Sequence, residues 1–357
     1  MDTNILIIIS FFIGGFAISL VVNTLLLRFS ESLGIRNKND IIVRWSSSSK
    51  PSLGGISLFF VFIAVILAIA SIYPTQNIFL NIKFVGLIAA SILAFGIGVM
   101  DDAYNTRPFL KLFGQISCGL VLVFTDNNID FFHSFWLDSA LTVFWIVAIM
   151  NSLNMLDNMD GITATVSLFI LLTCLFCLLF SGNQNLFIWT LIILAQVGGI
   201  IGFLIFNINP SKMFMGDSGS QFIGLYVGYF GIKAIWNLPA TLEIPSWISI
   251  FLILTAFTPT IADTLTVTIN RKRKGSSVMV GGKDHTTHHL VYKGHSDFKV
   301  WVIFLIISCF SAIYAILLGW LAIRGYYYTS FLGLLFFLSV FIPLYRNTLK
   351  YPAPKND

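Results

Sequence analysis

Six aspartates stand where carboxylates are costly, at the edges of long apolar runs or inside them. Asp101 and Asp102 close a string that begins at Gly98. Asp157 and Asp160 fall within Asn151-Ser-Leu-Asn-Met-Leu-Asp-Asn-Met-Asp-Gly161, Asp217 within Met213-Phe-Met-Gly-Asp-Ser-Gly-Ser220, and Asp263 inside a later apolar run. Adjacent carboxylates such as Asp101 and Asp102 need a cation or a proton to sit together. Their hard oxygens suit Mg²⁺, which keeps several waters and binds through one or two carboxylates plus substrate phosphates. A solvated loop start is the bland alternative for such a pair, but this one abuts a continuous apolar helix.

Asn151, Asn154, Asp157 and Asp160 recur at every third position. On a helix, neighbouring members of the row share a face while the row drifts by about 60° per step, which lets it hold a substrate along its length. Helix capping ahead of the next run explains one of the four and leaves the others. Gly216, Gly219 and Ser220 around Asp217 permit close backbone approach near a helix start, a setting suited to phosphate and metal. Further along, Asp284-His-Thr-Thr-His-His289 brings His285, His288 and His289 close together. They are candidate zinc ligands with Asp284, donors to a diphosphate, or proton carriers. The run Arg271 to Lys274 beside them suits a membrane surface. Cys174-x-x-Cys177 lies in an apolar run and has neither a zinc nor a redox setting.

What must position these residues is a set of membrane helices. Of 357 residues 57% are hydrophobic and 10% charged, with a mean hydropathy of +0.86. Soluble domains carry about 25% charged residues, so a soluble or disordered chain is excluded. The apolar stretches predict an all-α integral membrane protein with about eleven transmembrane helices, near 4–28, 54–73, 84–100, 110–125, 135–151, 162–180, 186–206, 219–238, 247–269, 298–322 and 328–345. They form a single polytopic domain with polar loops near 29–53, 101–109, 152–161, 207–218 and 270–297. Asp2 is the one charge before Arg28, so the first run is expected to stay as a span and not be cleaved as a signal.

Eighteen of the 21 Lys and Arg fall on one side of this topology, among them Arg36, Lys38, Arg44 and Lys355; Lys83, Lys233 and Arg324 are the exceptions. Basic loops stay cytoplasmic, which sets the N-terminus outside and the C-terminus inside. The net charge of +5 therefore reflects sidedness and gives no sign of nucleic-acid binding. All six aspartates reach the same inner face, although the topology rests on basic residues alone. Ser46 to Ser49 reads as a flexible stretch of the first inner loop. No internal repeat is apparent, which weighs against a transporter built from two related halves.

Lys50-Pro-Ser-Leu-Gly-Gly55, Asp101-Asp102, Lys111 with Gln115, the string from Asn151 to Gly161, Asn207, Phe214-Met-Gly-Asp217, Asp263 and Arg271 follow in an order that resembles the polyprenyl-phosphate N-acetylhexosamine-1-phosphate transferases. The resemblance spans about residues 50–290. The middle string is similar to the family's Asn-x-x-Asn-x-x-Asp-Gly-x-Asp-Gly signature. Asn158 stands in place of one Gly, so a left-handed backbone is expected there, which Asn tolerates better than most residues. The histidine string departs from the contiguous triple histidine of the peptidoglycan enzyme. That favours a simple UDP-N-acetylhexosamine over the alternative within the family, phospho-N-acetylmuramoyl-pentapeptide transfer.

The resemblance implies transfer of N-acetylhexosamine 1-phosphate, with GlcNAc the expected sugar, from the UDP-sugar to undecaprenyl phosphate, releasing UMP. This is the first membrane step of a cell-envelope glycan, at the cytoplasmic face of a bacterial inner membrane. It implies Mg²⁺, or Mn²⁺, on Asp217 and Asp102. Catalytic work goes to Asp101, Asp102, Lys111, Asp157 and Asp160, with Asp101 accepting the last proton of the lipid phosphate. Substrate binding goes to Lys50, Asn151, Asn154, Asn207, Asp263, Arg271, His285, His288 and His289. A homodimer is compatible with the resemblance, and one-step attack and an aspartyl-phosphate intermediate are both open. The competing class, a proton-coupled transporter using Asp263 and Lys233, predicts charges at the midplane and on both faces; clustering at one face favours the enzyme.

Overall fold

The computed structural model describes residues 3–29, 50–181, 186–277 and 281–354. In hydrocarbon every backbone N–H must bond within its own segment, and the long apolar runs accordingly become helices. In chain order these are α1 (Thr3–Arg28), α2 (Gly54–Ile72), α3 (Ile82–Tyr104), α4 (Pro108–Phe124), α5 (Phe135–Leu156), α6 (Ile162–Phe180), α7 (Phe187–Asn207), α8 (Gly216–Gly231), α9 (Leu238–Leu242), α10 (Ile248–Ala256), α11 (Thr258–Arg273), α12 (Thr286–Tyr292), α13 (Asp297–Ile323) and α14 (Leu332–Lys350). No strand occurs among the described residues. The chain is a multi-pass membrane protein.

Among the described residues eight of these helices are long and apolar enough to cross a membrane, or nine if a bent pair is one span, against about eleven expected. α4 and α8 are shorter, with 17 and 16 residues, and α8 continues into a π turn, Ile232–Trp236. The expected straight span 247–269 is two helices, α10 and α11, bent by 83°. Pro259 lies in the first turn of α11; it lacks the N–H that would carry α10 onward, and its ring blocks the preceding turn. The tract Ser46 to Ser49 and the basic residues Arg36, Lys38, Arg44 and Lys355 lie outside the described residues.

α8 is the axis of the bundle. Every residue from Ser218 to Gly231 is buried, and α2, α3, α5 and α6 pack around it, as a helix apolar on all sides requires. Phe222 meets Phe59 and Phe62 of α2 at ring distances of 5.5 and 5.7 Å, and Tyr226 meets Phe230 one turn on at 4.8 Å. Outer helices present Ile13, Phe113, Phe310 and Leu335 to the surroundings. The starts of α2 and α8 are joined by backbone bonds from Gly54 to Phe214 and from Gly55 to Met215, at 3.0 and 2.8 Å. A Cβ on Gly55 would stand 2.1 Å from Cα of Gly219, so these two glycines let the helices cross at backbone contact. The starts of α2, α4, α6 and α8 thus meet the ends of α3, α5, α7 and α11 at one end of the bundle.

Candidate active site

α3 stops because Asn105 adopts a left-handed conformation, φ 49°, and Pro108 in the first turn of α4 starts the return. The reversal brings Lys111 back beside Asp101. Lys111 Nζ donates to Asp101 Oδ2 at 2.7 Å and to Asp217 Oδ1 at 3.0 Å, so one ammonium is shared by two carboxylates. Thr106 holds the other Asp101 oxygen through its backbone N–H at 2.9 Å and its hydroxyl at 2.6 Å. Asp217 Oδ1 also accepts from Asn154 Nδ2 at 2.6 Å, and Asn154 reaches Ser220 Oγ at 2.8 Å. Asp217 lies in the first turn of α8, where the helix dipole favours a negative charge.

A cavity of about 880 Å³ opens around this centre. Lys50, Asp101, Lys111, Asn151, Asn154, Asp157, Asp160, Asn207, Asp217, Arg271, His285 and His288 all line it, as expected of a shared site; Asp102, Asp263 and His289 do not. Asp102 accepts the backbone N–H groups of Asp217 and Ser218 at 3.0 and 2.8 Å. Its carboxylate anchors the start of α8. Asp263 is fully buried. Its oxygens hold His285 Nδ1 at 2.8 Å and the N–H and hydroxyl of Thr286 at 2.8 and 2.6 Å, so it positions His285. His289 bonds the carbonyl of Tyr351 instead of facing the cavity.

Two further residues lining the cavity act as struts. Asp160 accepts from Ser211 N at 3.0 Å, Ser211 Oγ at 2.8 Å and Asn209 Nδ2 at 3.2 Å, with Lys50 Nζ at 3.5 Å. That engagement ties the loop after α5 to the loop after α7. Asn207 accepts from Gly161 N at 3.1 Å and donates to the carbonyl of Met213 at 2.9 Å. The left-handed residue of the middle string is Gly161, φ 76°, not Asn158. Asn158 instead accepts from Thr287 Oγ1 at 2.7 Å and so links that string to α12. Asn151 pairs with Gln115 at 2.8 and 3.2 Å, and Gln115 reaches Gln221 at 3.1 Å, a polar chain running into the bundle.

The histidine segment hangs on Arg271, whose Nε and Nη2 grip both oxygens of Asp284 at 2.7 and 2.6 Å. Burial acts to raise the Asp284 carboxyl, and the Arg271 guanidinium more than offsets it, leaving the group below the usual carboxylate range. Burial, reinforced by neighbouring His285, pushes His288 down to about 3, so its imidazole is neutral near pH 7. The three histidines do not converge on one point as zinc ligands would. Among the described residues no group of three or more His, Cys, Asp or Glu side chains is placed to hold a metal ion. Magnesium asks for less, since one or two carboxylates plus water and substrate oxygens suffice. Asp217, on the cavity wall with its side chain 33% exposed, offers such a carboxylate. Thr106, Asn209, Ser211 and Thr286 escaped the sequence reading; only Thr106, between a turn residue and Pro108, carried a local signal.

A helical membrane protein whose helix ends enclose a cavity of shared carboxylates, ammonium and guanidinium groups is built as a membrane enzyme for anionic substrates. The profile of Glycosyl transferase family 4 matches residues 84–235. A probable undecaprenyl-phosphate N-acetylglucosaminyl 1-phosphate transferase of Bacillus subtilis (strain 168) is 28% identical over 271 residues, 73% of this chain and 71% of that one. A decaprenyl-phosphate N-acetylglucosaminephosphotransferase of Mycobacterium tuberculosis (strain CDC 1551 / Oshkosh) is 27% identical over 347 residues, 86% of this chain and 82% of that one. A phospho-N-acetylmuramoyl-pentapeptide-transferase of Lactobacillus acidophilus is 26% identical over 286 residues, 74% of this chain and 83% of that one. The chain belongs to the polyprenyl-phosphate hexosamine-1-phosphate transferase family.

Proposed function

We propose that the protein transfers N-acetylhexosamine 1-phosphate, with N-acetylglucosamine the expected sugar, from the UDP-sugar to undecaprenyl phosphate and releases UMP. The observation that carries this reading is the Lys111 ammonium shared by Asp101 and Asp217 on the wall of the cavity. Two anionic reactants must meet there, and Lys50, Lys111 and Arg271 supply the neutralising charge. A phosphate oxygen of the lipid attacks the phosphorus that bears the sugar. The bond from that phosphorus to the bridging oxygen breaks, and its electron pair leaves with UMP. Asp101 takes the proton of a lipid phosphate that still carries one. Asn151, Asn154 and Asp157 orient the nucleotide sugar, and His285, fixed through Nδ1 by Asp263, keeps Nε2 for the substrate. Mg²⁺ held by Asp217 would neutralise charge on the diphosphate.

The test is to offer purified protein a panel of UDP-sugars with undecaprenyl phosphate and to identify the lipid product. UDP-N-acetylglucosamine is expected to yield UMP and a lipid diphosphate sugar. Turnover with UDP-N-acetylmuramoyl-pentapeptide alone would replace this reading with the other activity named among the relatives. The same reading puts the cavity at the cytoplasmic face, where nucleotide sugars are made, supported by the sidedness of the basic residues. A cysteine at Ser276 is then shielded from an impermeant thiol reagent in intact cells and labelled once they are opened. Labelling in intact cells contradicts it.

A further inference from the structure

The far end of the bundle holds a second cavity, of about 520 Å³, between the start of α3, the α4–α5 loop and the π turn after α8. Lys83 on its wall and Asp101 at the active site lie near opposite ends of α3. At 1.5 Å per residue they are about 27 Å apart, close to a hydrocarbon thickness. The carboxylates here are already engaged. Asp126 pairs with Lys83 at 3.1 Å and Asp130 with His133 at 2.9 Å. Asp138 accepts the backbone N–H groups of Phe131, Phe132 and Ser134 at 3.1, 2.9 and 2.9 Å.

Lys233 is the cation left over. Lining the same cavity and half-buried, it has no ion-pair partner among the described residues. Its ammonium stands 3.9 Å from the ring centroid of Trp189, which is itself stacked on Phe84. A cation–π contact offsets only part of the desolvation of an ammonium. Asn128 Oδ1, on the same wall, is buried without a hydrogen-bond partner and offers an acceptor. The rim is open and mixed, with Asp126, Asp130 and His133 exposed on it, but one stretch is aromatic: Phe135 lines the cavity at 58% exposure, and Trp136 beside it is 80% exposed. Such rings suit the headgroup level of a bilayer. A zwitterionic group bound here meets an ammonium without an ion-pair partner, nearby carboxylates and an aromatic stretch of the rim together.

We propose that this cavity binds the headgroup of a phospholipid, its phosphate on Lys233 and a headgroup ammonium or hydroxyl on Asn128 Oδ1. The site is separate from the transferase reading and stands or falls without it. Full-length protein, stripped of endogenous lipid in detergent, is titrated with short-chain phosphatidylethanolamine, short-chain diacylglycerol or inorganic phosphate. Binding is counted by native mass spectrometry while the melting temperature is followed. Phosphatidylethanolamine is expected to fill one saturable site and raise the melting temperature, diacylglycerol to do neither, Lys233→Arg to retain the site, and Lys233→Met to bind about tenfold more weakly. Equal binding by Lys233→Met, or by diacylglycerol, overturns the proposal, and a response to inorganic phosphate with none to phospholipid overturns the lipid as its source. Should Lys233→Met not fold, phosphatidylethanolamine against diacylglycerol on the wild-type protein still decides.

Discussion

Both ends of this bundle gather charged side chains, but Asp217 at one and Asp138 at the other find their partners at different distances along the chain. At the active-site end, Asn154, Lys111 and Asp102 reach the start of α8 across 63, 106 and 115 residues. At the far end, Asp138 and Asp130 spend their oxygens within seven residues of themselves, closing the loop before α5. A carboxylate satisfied locally holds a loop. One that shares its cation with a carboxylate from another helix sits where a metal can take that cation's place or a substrate phosphate can draw the cation to itself. Charge at a membrane edge thus marks a candidate, and a cation shared between carboxylates of different helices on the cavity wall points to chemistry.

The largest expected effect follows from replacing the group on which the near end converges. Asp217→Asn should cut kcat by at least about 100-fold, about 2.7 kcal/mol of transition-state stabilisation, and weaken the Mg²⁺ dependence of turnover while the protein stays folded. Asp102→Asn sharpens the contrast inside a single Asp-Asp pair. It should lower the melting temperature, by about 1–2 kcal/mol of stability, because two backbone N–H groups lose their carboxylate, and leave the apparent Mg²⁺ affinity of the remaining activity unchanged. Kinetics titrated with Mg²⁺ separate the two variants; a matching loss of Mg²⁺ affinity in both would place Asp102 at the metal site.

At the far end, Asp138→Asn removes a carboxylate that accepts three backbone N–H groups. A loss of about 1–2 kcal/mol in stability is expected, with kcat unchanged once the protein is folded. A kcat defect in this variant, measured below its melting transition, would erase the distinction between the two ends.

The gap between Asp101 and Asp102 shows what a sequence can carry. Apolar runs and aspartates at their ends make the helices and one polar end legible, because hydrophobic length and the cost of membrane-edge charge are local properties. Which member of an adjacent pair faces the cavity depends on where α8 begins against α3, a tertiary fact with no local sign. The same holds for Asp160, whose partners Asn209 and Ser211 lie beyond two helices, and for His289, turned to the carbonyl of Tyr351 while His288 lines the cavity. The break between α10 and α11 was signalled by Pro259, yet a continuous apolar run concealed it.

A pH-dependent effect concerns the histidine segment. His288 sits near 3 in the folded protein against about 6.5 when unfolded, so folding excludes a proton from it. Its favourable neutral form is fully present above about pH 6.5, and stability declines as pH falls from there toward 3. Protection of amides in α12, after correction for the pH dependence of intrinsic exchange, should therefore fall between pH 7 and pH 5 by the equivalent of about 2 kcal/mol, and His288→Gln should flatten that trend. An unchanged slope in His288→Gln would remove His288 as the acid-sensitive group.

The central claim is that distant carboxylates and an ammonium converge on a diphosphate and not on a sugar carbon. The direct measurement follows phosphorus. With UDP-N-acetylglucosamine labelled in the sugar-proximal phosphorus, attack at that atom sends the label into the lipid as a diphosphate, yields unlabelled UMP and keeps the donor's anomeric configuration. Attack at the anomeric carbon would pass through an oxocarbenium-like state and release labelled UDP beside an unlabelled lipid. Labelled UDP would contradict the account even if Asp101, Lys111 and Asp217 all proved essential.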